Sequence, residues 1–209
     1  MQPHTTLAAR KQPRQTRSQV TVDAVFEASI QVLLSDGPRR LTTTRVAERA
    51  GVSVGTLYQY YPNKQALLYA VLERHLQRVG DSVAAAARAS HHASLAAMVS
   101  AVVDAFVRAK TERIAESRAL YSVANELDST ALVRSVGQRS CEVVAAMLAT
   151  ASDAHFADLS LTSFIVVNAM VGPTRAMLEA GAPPKLLRAL RGQLTALCLG
   201  YLERAATAQ

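Results

Sequence analysis

Between Leu41 and Leu68 the chain reads LTTTRVAERAGVSVGTLYQYYPNKQALL, a stretch rich in hydroxyls, amides and cations with one acid, Glu48. Such side chains suit base edges and phosphate oxygens. Gln59 can pair at two points with adenine, Thr56 can donate or accept, and Val54 can meet a thymine methyl. Gly55 lets backbone approach backbone, while the hydroxyls of Tyr58 and Tyr60 and the ammonium of Lys64 suit phosphates. Thr43 offers a hydroxyl and free helix N–H groups to a phosphate, and Arg45 with Arg39-Arg40 adds charge.

Other chemistry finds little support. The acids are scattered, several beside arginines as in Glu112-Arg113 and Glu116-Arg118, and read as solvated ion pairs. His91-His92 has no Cys or carboxylate partner at ligand spacing. Neither a phosphate-cradling glycine loop nor an activated nucleophile is present. We therefore expect no enzyme, no catalytic residues, no cofactor and no metal. Cys141 and Cys198 each fall in an apolar helical pattern and are expected as buried free thiols.

Helices must position the polar stretch. Val22, Val25, Phe26, Ile30, Leu33 and Leu34 make one apolar face of a first helix that Gly37-Pro38 ends. A second helix starts at a cap near Thr42 or Thr43, buries Val46, Ala47 and Ala50, and closes at Gly51. Ser53 caps a third, stopped at Pro62, and Asn63 caps a longer fourth. Two short helices joined by a glycine turn are the helix-turn-helix signature, whose second helix enters the major groove. On that second helix Leu57 and Tyr61, four apart, face inward. Gly55, Thr56 and Gln59 face the other way, with Tyr58 and Tyr60 on the flanks. A short helix cannot bury side chains all round, so Tyr58 and Tyr60 are expected at the surface and Tyr61 in the core.

The rest reads as further helices without strand-like alternation, so the fold class is all-α. A three-helix DNA-binding head is joined to a helical body, about nine helices in total. The expected divisions are a basic arm over 1–19, the head over 20–66 and a helical body over 67–209. Gly172-Pro173 suggests a kink in a strongly apolar helix over 159–180. Through Gly80 there are eleven Lys and Arg against five Asp and Glu, and beyond it twelve against eleven. The basic excess sits at one end, as docking to a polyanion would want. No run of about 20 residues is apolar without charge, and Met1 to Gln19 lacks a signal-peptide core. The expected location is the cytoplasm, at the nucleoid, with no membrane partner.

The stretch closely resembles the DNA-binding head of the TetR family of bacterial repressors. The resemblance runs through Thr42-Thr43, Val46-Ala47, Ala50-Gly51-Val52-Ser53, Gly55-Thr56-Leu57-Tyr58, Tyr60-Tyr61 and Lys64 with Leu67. It implies a homodimer on a palindromic double-stranded operator and an effector-binding body whose last two helices make the dimer interface. It also implies phosphate contacts from Thr43, Lys64, Tyr58 and Tyr60, base reading by Val54, Thr56 and Gln59, and a minor-groove role for the arm. The expected function is a ligand-responsive repressor. A sequence-nonspecific architectural DNA-binding protein is the alternative.

Two readings concern the body. Leu187, Leu190, Leu194, Leu197 and Tyr201 recur at steps of three and four, a seam for a partner's helix or for the subunit's own core. Met98, Phe106, Met147 and Met170 could line a pocket or fill a core, and Tyr121, Asn125 and Asn168 could orient a ligand, make a dimer contact or serve as satisfied core polars. The excess of aliphatic candidates over charged ones points to an apolar or amphipathic effector.

Overall fold

The structure, a computed structural model, describes residues 16–207; most of the basic arm lies outside them. Among the described residues there are nine helices and no named strand: α1 (Thr16–Arg40), α2 (Thr43–Ala50), α3 (Val54–Tyr60), α4 (Lys64–Ala89), α5 (Leu95–Thr111), α6 (Ile114–Glu126), α7 (Thr130–Leu148), α8 (Leu159–Glu179) and α9 (Pro184–Ala205). Helix begins at Thr16, so residues 16–19, read as arm, are already helical.

The chain forms two compact units. The first takes the chain to His75 together with Arg118–Ser129, and the second takes Leu76–Ser117 and everything from Thr130. In the first, Val22, Val25, Phe26, Ile30 and Leu33 of α1 are buried, while Leu34, expected with them, is exposed. The break expected at Gly37 is present: its φ of 77° and ψ of 168° interrupt α1, and Pro38 follows. Only glycine takes that φ without strain. In the second unit α5 packs on α7 and α9, and α8 on the same two helices. Its core includes Met98, Val102, Val103 and Phe106 of α5, Val144, Met147 and Leu148 of α7, and Leu190, Leu194, Cys198 and Leu202 of α9.

Helix α8 runs from Leu159 to Glu179 with Pro173 inside it. It is also, among the described residues, the one helix long and apolar enough to cross a membrane. Its inward side (Val166, Val167, Met170, Thr174, Met177 and Leu178) is buried, and it packs on α7 and α9 as a core helix does. Cys198 is buried as expected, and Cys141 is only partly so; both are free. Burial pushes the Cys198 thiol up to about 11.

Candidate nucleic-acid interface

Helices α2, α3 and α4 are each fixed by a cap that the sequence supplies. Thr42 precedes α2 in extended backbone and its hydroxyl accepts from Arg45 N–H at 3.2 Å. Gly51 closes α2 in the left-handed region, with its N–H on the Glu48 carbonyl and that of Val52 on Ala47. Ser53 starts α3, accepting from Thr56 N–H at 2.9 Å, and its hydroxyl also lies 2.8 Å from the Thr56 hydroxyl. Asn63 Oδ1 accepts from Ala66 N–H at 2.8 Å and starts α4. Losing such a cap costs about 1 kcal/mol, so four caps in 22 residues pin the spacing of the docking surface.

The inward pair is as expected. Leu57 is fully buried and Tyr61 nearly so, its ring 5.8 Å from Phe26, over which the Arg74 guanidinium sits at 5.2 Å. Arg74 is in turn held by Asp23. Burial raises the Tyr61 phenol well above its usual range, only partly offset by Arg74. The opposite face is open: Gly55 and Gln59 are exposed, and Val54 and Thr56 are half-buried. Thr42, Arg45, Ser53 and the pair Arg39-Arg40 are exposed too, and Lys64 is half-buried.

Two expectations are corrected. Tyr60 is 7% exposed, its ring packed at 6.4 Å on Tyr61. It is the last residue of α3, where the chain turns extended at Tyr61, so its flank position is covered. Thr43 also turns inward, and its hydroxyl lies 3.2 Å from the Tyr58 hydroxyl. The outward oxygen of that pair belongs to Tyr58, which is 40% exposed.

The expected dimer seam divides. Leu190 and Leu194 are buried in their own subunit, because α9 needs an inward face (Leu190, Leu194, Cys198 and Leu202 at steps of four) to pack on α5 and α8. Leu187 and Tyr201 are half-buried, and Leu197 is 49% exposed. The apolar surface that spacing in α9 did not reveal lies mainly on α8: Leu161, Phe164, Ile165 and Val171 are exposed, as is Leu186 at the start of α9. The available signal was that α8 is apolar round its whole circumference, more than one packed face requires.

Among the ligand candidates, Met98, Phe106 and Met147 are buried. Asn168 is exposed on α8 and donates to the Phe164 carbonyl at 2.8 Å, so it faces away from any interior pocket. Asn125 is exposed and Tyr121 half-buried, both on α6. A polar group that sequence reasoning passed over is Lys110, buried in the last turn of α5. On α6, Glu116 is buried as well, holding Arg78 at 3.0 Å and Arg113 at 2.9 Å. The described residues contain no group of three or more side chains suited to a metal ion.

Comparison with known proteins gives a consistent placement. The model of bacterial regulatory proteins of the tetR family matches residues 25–71, and that of the tetracyclin repressor-like C-terminal domain matches residues 94–202. The nucleoid occlusion factor SlmA of Actinobacillus pleuropneumoniae is 42% identical over 65 residues, 31% of this chain and 32% of that protein. The HTH-type transcriptional repressor KstR of Mycolicibacterium smegmatis is 37% identical over 65 residues, with the same shares. The chain thus spans about a third of the length of these curated relatives. The solved structure of the transcriptional regulator FadR from Bacillus subtilis, in complex with stearoyl-CoA, shares the fold: TM-score 0.69 at 13% identity, over 86% of this chain and 98% of that one.

Proposed function

This chain belongs to the TetR family of bacterial regulators, and on that premise we propose that it is a ligand-responsive repressor that binds a palindromic operator as a homodimer. The observation that carries the reading is the open face of α3. Gln59 stands exposed beside Gly55, Val54 and Thr56, on a helix anchored from behind by Leu57 and Tyr61. Gln59, Thr56 and Val54 read bases, while Tyr58, Arg45 and Lys64 take phosphates. Two heads reading a palindrome need a two-fold axis, and the exposed apolar residues of α8 and α9 suit a second copy of this chain. KstR is named a repressor and the FadR structure holds an acyl-CoA. For this chain an apolar or amphipathic effector of the body is the corresponding reading, shifting the dimer toward a state that cannot span both half-sites. The protein acts in the cytoplasm at the nucleoid, on DNA rather than on a chemical substrate or a membrane.

The test is selection of duplexes from a random pool, followed by fluorescence anisotropy on the winner against scrambled DNA at fixed salt. A preference below about tenfold would make the protein an architectural DNA binder instead of a repressor. With a selected duplex in hand, Gln59→Ala should relax preference at one base pair per half-site by roughly tenfold. Lys64→Ala should weaken all sequences alike and reduce the salt slope by about 1 per head. If Gln59→Ala keeps the full preference, α3 is docked differently.

A further inference from the structure

The break at Gly37 does more than end α1, because two cations from other helices are fastened to the residues beside it. Arg45 Nη1, from the first turn of α2, lies 2.6 Å from Asp36 Oδ2. Lys64 Nζ, from the first residue of α4, donates to the Pro38 carbonyl at 2.6 Å. Arg39 and Arg40 follow, both exposed. Residues 36–38 therefore gather the start of α2 and the start of α4 onto one end of α1, and Arg39, Arg40, Arg45 and Lys64 are brought to the bend that carries Asp36. A carboxylate in such a patch looks misplaced, since it would repel the polyanion that the cations attract.

We propose that Asp36 is a positioning residue for DNA binding: it holds the Arg45 guanidinium, as the Pro38 carbonyl holds the Lys64 ammonium, in the orientation that clamps the phosphate backbone. This rests on the reading of the head as a DNA-binding module. A guanidinium has five N–H donors and an ammonium three, so neither cation is used up by its tether and each keeps donors for a phosphate. A tethered side chain has already given up the rotamer freedom that a free one loses on binding. The left-handed Gly37 makes the geometry possible by turning the chain between the Asp36 carboxylate and the Pro38 carbonyl.

The sign of one substitution decides it. Asp36→Ala removes a negative charge from beside a polyanion, so charge alone requires tighter binding, whereas positioning requires weaker binding. With the full chain and a duplex selected by the protein, Asp36→Ala should bind about three- to tenfold more weakly, with an unchanged melting temperature. Arg45→Ala should also weaken binding and lower the salt slope by about 1 per head. The double variant should bind no more weakly than Arg45→Ala, since Asp36 acts through Arg45; a merely structural role would instead give additive losses. Equal or tighter binding by Asp36→Ala, or additive losses, overturns the proposal. Failure of the wild-type chain to select any duplex would sink the DNA-binding reading itself, and this proposal with it.

Discussion

Phe164→Asp should split the protein into folded monomers. Phe164 is 54% exposed on α8, in the stripe it shares with Leu161, Ile165 and Val171. An exposed stripe of this kind marks an association surface. In a two-fold contact the substitution places two carboxylates in one apolar interface, each losing water and each repelling the other. The subunit loses little packing, because more than half of the ring it removes faces outward, so helical content and the denaturation midpoint of the monomer should largely survive. Sedimentation should show a dimer for the wild-type chain and a monomer for the variant at the same micromolar loading. Operator affinity should fall by about a hundredfold or more, since one head would hold one half-site without the gain of a linked second site. Val133→Asp is the control: Val133 is just as exposed, but lies on α7 outside the stripe, and its replacement should leave the dimer intact. A Phe164→Asp protein that sediments as a dimer would place the contact elsewhere.

Stability of the body should rise between pH 8 and 9, and Lys110→Met should remove that rise. Lys110 is 4% exposed, and burial, with Arg78 nearby, lowers its ammonium from 10.5 to about 8. Between those two values the unfolded chain binds a proton that the folded chain does not, so stability rises with pH across that interval. The full interval corresponds to about 3 kcal/mol at 1.36 kcal/mol per pH unit. As pH nears 9 the Cys198 thiol, raised from 9.0 to about 11, begins to work in the opposite direction, because the unfolded chain then loses a proton that the folded chain keeps. From pH 8 to 9 the lysine dominates, and urea denaturation of the wild-type chain should show a gain of up to about 1 kcal/mol. Methionine keeps the length of the side chain without the charge, and its variant should lack that gain. Glu116 keeps Arg78 and Arg113 in that variant. A wild-type protein that loses stability from pH 8 to 9, or a variant that gains as much as the wild type over that window, would contradict the assignment.

The head was legible because its residues each do one local thing. Gly37, Gly51, Ser53 and Asn63 are stops and caps whose effect depends on a few neighbouring atoms, and each does in the structure what its type suggests. The inward placing of Leu57 and Tyr61 follows from a period of 3.6. The same period misplaced Tyr60, because angle round a helix gives direction and says nothing of what covers it. A seven-residue helix that turns extended at Tyr61 folds its last ring back onto the next. In α9 the spacing of Leu190 and Leu194 was an equally good description of a partner-facing seam and of a core-facing one, and the core took it. Periodicity cannot separate two apolar faces that differ only in which molecule fills them. The effector candidates meet the same ambiguity: Met98, Phe106 and Met147 are buried, as pocket residues and core residues both are.

The uncovered apolar face of α8 also bears on dosage. If the assembly is held through Phe164 and its neighbours, the DNA-competent species is made when two subunits meet, and at low copy number its amount follows the square of the subunit concentration. Occupancy of an operator would then switch on over a narrower range of expression than a monomeric binder allows. The folded state would share the same dependence, its melting temperature climbing as the protein is concentrated. A cell carrying this gene would be setting its threshold by abundance as much as by effector.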